Sequence, residues 1–224
     1  MTVMFVLVLT VAASARPAIT LGHSGPELTY VILGDSTAAG VGADYESGIA
    51  LATTRELALR SRVTMTNLGV SGAQMADVRR DQLAPAVALR PDLVLLAAGA
   101  NDVTHLTPVR SMRADLIQIV QQLRAANPNV KIVITGSPDM GSPPRIPRLL
   151  RGLASARTKA TNRMFEEEAV RLRLTFAPIA QRTGPLFRAD RSLFHADRFH
   201  PNARGYATWV PVLNEALSQA MSER

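Results

Sequence analysis

Residues that could do chemistry together lie in four short groups of this 224-residue chain: 34–36, 67–72, 99–102 and 197–202. The first group ends in Ser36, the third contains Asn101, and in the last Asp197 precedes His200 by three residues. A serine hydroxyl is a weak nucleophile until an adjacent base takes its proton, and a carboxylate can fix the tautomer and orientation of that base. The residue types are therefore those of a serine nucleophile with a histidine base, provided that the fold brings them together.

The secondary-structure elements that must position these groups are predicted from two alternating kinds of sequence segment. Short, nearly continuous apolar runs end in glycine or turn residues, at 29–33, 63–68, 93–97, 130–135 and, more weakly, 174–178. Segments with helical spacing of apolar residues cover 48–60, 107–126, 154–171 and 203–221. Strands without polar alternation are typical of a parallel sheet covered on both faces. The pattern predicts an α/β fold, a three-layer α/β/α sandwich with about five parallel strands, whose ligands bind at the carboxyl ends of the strands.

Those strand ends carry a family resemblance. The chain resembles the SGNH hydrolases, also called GDSL esterases and lipases, over about Tyr30 to Trp209. The matching blocks are Gly34-Asp35-Ser36-Thr37-Ala38-Ala39-Gly40, Ser71-Gly72, Gly99-Ala100-Asn101-Asp102 and Asp197-Arg198-Phe199-His200 with Pro201-Asn202. The resemblance implies a flavodoxin-like sandwich and hydrolysis of carboxylic (acyl or acetyl) esters through an acyl-enzyme, without a cofactor. The implied partner is a small-molecule ester substrate.

The resemblance also assigns roles to individual residues. Ser36 would be the nucleophile, His200 its base and Asp197 the carboxylate that orients His200. The oxyanion hole, which stabilises the charge of the tetrahedral intermediate, would consist of the backbone N–H groups of Ser36 and Gly72 and the side-chain amide of Asn101. Gly69 is an alternative to Gly72 in the same loop.

Other residues near these blocks have simpler interpretations. His195 is the competing base, but Ser192 rather than a carboxylate stands three residues before it, so it is expected at the rim or in solvent. His105 is expected on a solvated loop. Asp35 and Asp102 are expected to hold their turns through backbone hydrogen bonds. Residues 141–157, rich in Pro and Arg, are read either as a mobile lid over the site or as a loop followed by an exposed helix.

Composition removes several function classes. The chain has no cysteine, which excludes disulfides, thiolate metal sites and a cysteine nucleophile. It also lacks a phosphate-binding loop and a zinc-protease motif, and no metal site is predicted. The net charge of +7 comes from arginines spread along the chain, so no nucleic-acid partner is expected, whereas association with a membrane surface is possible.

The N-terminal segment differs in composition from the rest of the chain. Residues 1–15 are apolar and uncharged and end in Ala13-Ser14-Ala15, a pattern typical of a signal peptide. Residues 1–26 are therefore read as an N-terminal signal or anchor segment with a linker, and residues 27–224 as the hydrolase domain. The protein is expected to be exported or membrane-anchored, otherwise cytoplasmic. The alternative function is a non-catalytic module of the same fold that binds acylated glycan or lipid at the cell envelope.

Overall fold

A computed structural model describes residues 17–222 and contains a six-stranded sheet. The strands are β1 (Ile19–Leu21), β2 (Glu27–Gly34), β3 (Arg62–Asn67), β4 (Leu93–Ala97), β5 (Lys131–Ile134) and β6 (Thr175–Phe176). They lie in the order β1-β3-β2-β4-β5-β6, and every neighbouring pair is parallel except β1 with β3.

The five parallel strands have the flavodoxin order. Numbered among themselves they run 2-1-3-4-5, and the order reverses beside β2, whose neighbours are β3 on one side and β4 on the other. This confirms the predicted flavodoxin-like α/β sandwich. In such sheets the crevice lies at the carboxyl ends of the strands where the order reverses. Here those ends are Gly34 of β2 and Ala97 of β4, which pair with each other in the ladder.

The antiparallel edge strand differs from the expectation for the N-terminus. Residues 19–21 were expected in the segment before the domain, but β1 pairs with β3 in the register Ile19 opposite Met65. β1 adds a sixth strand beside β3, so the sheet includes residues before Glu27. The proposed signal or anchor, residues 1–15, lies outside the described residues. Among residues 17–222, no helix combines the length and apolar character needed to cross a bilayer.

Helices connect the strands and cover both faces of the sheet. They are α1 (Ser36–Ala39), α2 (Ile49–Leu57), α3 (Met75–Asp77), α4 (Leu83–Ala88), α5 (Ala100–Thr104), α6 (Val109–Ala126), α7 (Arg148–Leu172), α8 (Ile179–Ala189) and α9 (Ala203–Ser222). A wider π-helical turn, Val78–Gln82, joins α3 to α4, and short 3₁₀ turns cover Tyr45–Ser47 and Arg191–Leu193. The helices between residues 75 and 88 and α8 were not predicted from the sequence.

Alternate residues of β2 pack on opposite helix layers. Tyr30 and Ile32 belong to the core formed with α2, α8 and α9, whereas Val31 and Leu33 belong to the core formed with α4, α6 and α7. All four side chains are fully buried. Burying one such side chain contributes about 1.5–3 kcal/mol, which explains why the strand is apolar at every position rather than at every second one.

Candidate active site

The turn after β2 places Ser36 at the carboxyl edge of the sheet. Gly34 has φ +143°, and a Cβ there would lie 1.9 Å from the carbonyl oxygen of Ala97, so no other residue fits beside β4. The Asp35 N–H donates to the same Ala97 oxygen at 3.0 Å. Oδ1 of Asp35 then accepts from the N–H and the hydroxyl of Thr37, both at 2.8 Å, and caps α1. Ser36 is thus the first residue of α1, where the backbone N–H has no acceptor within the helix.

Three side chains form a continuous hydrogen-bonded line. Nε2 of His200 lies 2.9 Å from Oγ of Ser36, although the two residues are 164 positions apart in the chain. On the other side of the ring, Nδ1 of His200 lies 2.5 Å from Oδ2 of Asp197. The fold therefore brings together the serine, histidine and aspartate that the sequence singled out, in the geometry of an activated nucleophile.

Asp197 is held as a carboxylate. Its partial burial would raise its pKa, but hydrogen bonds from the His200 ring and from the backbone N–H groups of Phe199 and His200 outweigh that effect and lower the pKa to about 2. The two backbone bonds, at 2.9 and 3.1 Å, both go to Oδ1, which leaves Oδ2 for the ring. A permanently charged Oδ2 requires the ring to carry its proton on Nδ1, so Nε2 is free to accept the Ser36 proton.

The segment that carries His200 is tied to the rest of the fold. The His195 N–H donates to the carbonyl oxygen of His200 at 2.8 Å, and the Arg198 N–H donates to the carbonyl oxygen of His195 at 2.8 Å. Asn202 accepts the Gly205 N–H at 3.0 Å, at the start of α9. These bonds fix the loop that orients the imidazole.

Of the predicted oxyanion residues beside Ser36, Gly72 lies in the loop after β3 and Asn101 in the first turn of α5. Gly72 has φ +87° in a turn closed by the Ala73 N–H on the Val70 oxygen at 3.1 Å, and the space beyond its Cα is open. Nδ2 of Asn101 donates to the carbonyl oxygen of Ala73 at 3.0 Å, which uses one amide hydrogen and leaves the other for a ligand. The Val70 N–H donates to the Gly34 oxygen at 3.0 Å, which places this loop against the end of β2.

Gly69, the alternative to Gly72, has a packing role. A Cβ at Gly69 would lie 2.6 Å from the Cβ of Ala38, so a glycine is needed where the loop crosses α1. The same crossing is fixed by Asn67, whose Nδ2 donates to the Ala38 oxygen at 2.8 Å. Gly69 therefore holds the loop in place, and Gly72 presents its backbone to the open side.

The remaining titratable candidates lie around this line of three. Burial raises the pKa of Asp35 to about 6, against the hydrogen bonds from Thr37 and the charge of His200. Burial also raises the pKa of Asp102 to about 6, against the hydrogen bond from the Met75 N–H at 3.1 Å. His195 is exposed, and its Nδ1 accepts the Asp197 N–H at 3.3 Å. His105 is also exposed, and its Nδ1 lies 2.8 Å from the carbonyl oxygen of Asn101. Asp35, His105 and His195 lie as expected, whereas the Asp102 carboxylate joins α5 to α3 instead of holding its own turn.

A mostly apolar cavity of about 40 Å³ adjoins Ser36 and His200. Its walls, which were not predicted from the sequence, come mainly from the loop after β5, from α8 and α9 and from the segment between these two helices. The largest lining side chains are Met140, Phe187, Phe194, Phe199 and Trp209. The rings of Phe187 and Phe194 meet edge to face, with centroids 5.0 Å apart. The sequence does not predict such a cavity, because the residues around each aromatic side chain do not show which other rings it will contact.

Two further polar residues position the site through hydrogen bonds, one behind Ser36 and one in the cavity wall. Gln82 clamps Gly34: its Oε1 accepts the Gly34 N–H and its Nε2 donates to the Gly34 oxygen, both at 2.8 Å. Asp139, with a buried side chain, accepts from Ser142 at 2.7 Å, from Ser155 at 2.8 Å and from Nε of Arg188 at 2.7 Å. These bonds hold the cavity loop onto α7 and α8. Neither residue belongs to a recognisable motif.

Metal-ligating side chains are also sparse here. Within residues 17–222, no group of three or more His, Cys, Asp or Glu side chains is placed to hold a metal ion. Next to Ser36 lies the ring of His200 and, behind it, the carboxylate of Asp197. These side chains can transfer protons and form hydrogen bonds.

Comparison with known proteins finds similar sequences over most of the chain. The profile of the GDSL-like Lipase/Acylhydrolase family matches residues 32–208. The GDSL-like esterase Rv1075c of Mycobacterium tuberculosis is 31% identical over 204 residues, which are 88% of this chain and 64% of that protein. This chain thus spans less than two thirds of the length of that relative.

Solved structures share the fold at lower identity. A lipase from a goat rumen metagenome superposes with a TM-score of 0.69 at 19% identity, covering 84% of this chain and 97% of that one. The psychrotrophic esterase EstA from Pseudoalteromonas superposes with a TM-score of 0.63 at 23% identity, covering 87% of this chain and 99% of that one.

Proposed function

This chain belongs to the GDSL-like lipase/acylhydrolase family, the SGNH hydrolases, and on that basis we propose that it hydrolyses carboxylic esters with Ser36 as nucleophile. The observation that carries the proposal is the unbroken line from Ser36 Oγ through both nitrogens of His200 to Asp197, at 2.9 and 2.5 Å. Family membership supports the reaction class, and the line of hydrogen bonds supports the assignment of roles.

Acylation begins with attack of Ser36 Oγ on the ester carbonyl carbon. Nε2 of His200 takes the hydroxyl proton as the new C–O bond forms, and the ionised Asp197 stabilises the imidazolium. The carbonyl oxygen becomes an oxyanion, for which the backbone N–H groups of Ser36 and Gly72 and the free N–H of Asn101 are the donors. The intermediate then expels the alcohol, which receives its proton from His200, and the acyl group remains on Ser36.

Deacylation repeats these steps with water. Nε2 of His200 takes a proton from the attacking water, the same donors hold the second oxyanion, and the C–O bond to Ser36 breaks. Ser36 Oγ regains its proton from His200, and the carboxylic acid leaves. Every proton in the cycle passes through Nε2, so the chemistry needs no group beyond these side chains and backbone amides.

The cavity supports a short acyl group. A volume of about 40 Å³ accommodates roughly three water-sized spheres, which is the size of an acetyl to butyryl chain. Its lining is mostly apolar, and the rings of Phe187 and Trp209 bound it toward the core. A longer chain would have to displace these side chains or lie along the surface. We therefore expect hydrolysis to fall as the acyl chain grows beyond four carbons.

The test is hydrolysis of p-nitrophenyl acetate, butyrate and octanoate by the full chain and by Ser36→Ala. We expect turnover of acetate and butyrate that Ser36→Ala abolishes, and much weaker turnover of octanoate. A rapid release of nitrophenol equal to the enzyme concentration, ahead of steady turnover, would report the acyl-enzyme directly.

The control is the exposed serine variant Ser71→Ala, next to Gly72 but outside the line of three, which should keep activity close to that of the parent. Turnover that persists in Ser36→Ala contradicts the nucleophile assignment. A folded protein that binds these esters without cleaving them contradicts the enzyme proposal and leaves the alternative, a module that binds acylated glycan or lipid.

A further inference from the structure

The first turns of α7 expose leucines beside the cavity. Leu149, Leu150 and Leu153 are 97%, 51% and 56% exposed. Ala154, in the same turns, packs inward against the small core of Ala100, Val103 and Met140. A helix start that is anchored on one side and bare leucine on the other is unusual on a soluble surface, because exposed apolar patches mark interaction sites. We call this feature the Leu149 surface.

Several cations on and near the first turns of α7 have no acidic partner. Within residues 17–222, no ion pair joins a carboxylate to any of Arg145, Arg148, Arg151, Arg157, Lys159 or Arg198. Farther along α7 the pattern changes: Glu167 pairs with Arg113 at 2.9 Å and Glu168 with Arg171 at 2.5 Å. Positive charge is therefore compensated on the far part of α7 and uncompensated at its start.

This surface is continuous with the rim of the cavity. The guanidinium of Arg145 lies 5.8 Å from the centroid of the Phe199 ring, and the Arg145 N–H donates to the Arg198 oxygen at 2.9 Å. Phe199 lines the cavity together with Ser36 and His200. Ala154 of α7 packs on the same small core as Phe199, so a partner docked on the Leu149 surface would lie near this rim.

We propose that the Leu149 surface docks on an anionic lipid bilayer. Exposed leucines with arginines in and just before the same turns suit a membrane interface. There the apolar side chains enter the acyl region while the guanidinium groups contact lipid phosphates. A soluble acidic polymer would use the cations but would gain nothing from the leucines. The bilayer is the partner that uses both features, and docking there would place the cavity against esters carried at the lipid surface.

The test uses the absence of cysteine in the chain. In Ala156→Cys, on the exposed side of α7 about one turn after Leu153, one thiol accepts an environment-sensitive fluorophore such as NBD. The labelled full chain is mixed with vesicles of phosphatidylcholine alone or with added phosphatidylglycerol. We expect a blue shift and a rise in emission only with the anionic vesicles, and reversal of both at high salt.

A matched label at Leu59→Cys serves as the control. Leu59 is 74% exposed but follows α2 just before β3 begins, at the opposite edge of the sheet from the cavity. We expect no shift there. This comparison also separates the proposal from binding through another part of the chain, because a protein held only elsewhere would not bury the label at 156. An absent shift at 156, or equal shifts at both positions, overturns the proposal.

Variants then separate lipid from other anions. Leu149→Ser with Leu153→Ser should remove the shift, whereas Val170→Ser, 82% exposed on the same helix, should leave it unchanged. Arg145→Gln with Arg148→Gln should weaken the apparent vesicle affinity by about tenfold or more. If soluble polyphosphate competes fully and the leucine variant binds normally, the surface is a polyanion site and the bilayer proposal is wrong. Hydrolysis of a soluble ester should be unaffected by these leucine changes, so failure here leaves the esterase proposal intact.

Discussion

His200 makes two hydrogen bonds to the carboxylate of Asp197, one from Nδ1 of its ring at 2.5 Å and one from its own backbone N–H at 3.1 Å. The backbone bond fixes the carboxylate relative to the chain, and the ring bond transfers that fixed orientation to the imidazole. Because the pKa of Asp197 is lowered to about 2, the carboxylate stays charged throughout the range in which a histidine base works.

Asp197→Asn is expected to lower kcat by about 10³–10⁴-fold with the fold retained. The amide oxygen can still accept the backbone N–H groups, but its NH₂ faces Nδ1 and forces the proton onto Nε2, which then cannot accept from Ser36. Steady-state hydrolysis of p-nitrophenyl acetate measures kcat, and circular dichroism checks the fold. A variant that keeps kcat within about tenfold of the parent would show that Asp197 does not set the tautomer.

Asn101→Ala should reduce kcat by about 10²–10³-fold, because one donor to the oxyanion is lost while substrate binding is largely kept. The neighbouring variant His105→Ala is the control, since His105 is exposed and its ring bonds only to the Asn101 carbonyl oxygen and the Thr104 hydroxyl. It should leave kcat unchanged. Equal losses in both variants would mean that disturbance of α5, rather than loss of a donor, causes the effect.

Gln82→Leu should destabilise the protein by about 1–3 kcal/mol, because both backbone groups of Gly34 lose their side-chain partner. Gly34 lies two residues before Ser36, so we also expect kcat to fall more than KM rises. Urea unfolding gives the first quantity and ester kinetics the second. Gln121→Leu, an exposed glutamine on α6, should change neither. A stable variant with normal kcat would remove the positioning role.

Met140→Ala should enlarge the cavity and raise the ratio of octanoate to acetate hydrolysis, because Met140 is buried and lines the cavity beside Ser36. Met112→Ala is the matched control: it is equally buried but lies in the core on the other face of the sheet. Both variants should lose comparable stability, and only the first should change the ratio. An unchanged ratio in Met140→Ala would show that the acyl chain does not enter this cavity.

Asp102 makes stability depend on pH in a defined direction. Burial raises its pKa to about 6, so the folded state holds a proton that the unfolded state releases at lower pH. The free energy of unfolding therefore increases as the pH falls below about 6. It decreases again as the pH rises back through that value. Relative to Asp102→Asn, the parent should gain about 1.4 kcal/mol between pH 8 and pH 5, measured by urea unfolding at both values. A constant difference would contradict this role of Asp102.

Local sequence patterns predicted most of the parallel strands and the strand ends that hold the site. The apolar runs placed β2 to β6, because a strand buried on both faces needs an apolar side chain at every position. The strand ends could be located in the same way, which is why Ser36 and Asn101 could be assigned to one edge of the sheet. The short strand β1 was not predicted, because three residues show too little periodicity to distinguish a strand from a linker.

The sequence by itself determined which side chains could do the chemistry, because Ser36, Asn101, Asp197 and His200 stand in short blocks whose residue types and local spacing are visible in one dimension. Only the tertiary structure decided which distant groups meet, namely Gln82 on Gly34 and the aromatic side chains that line the cavity. Such contacts join residues far apart in the chain, and they form through packing of layers rather than through any local preference. The shape of the cavity, and with it the expected acyl length, therefore follows from the fold and not from the motifs.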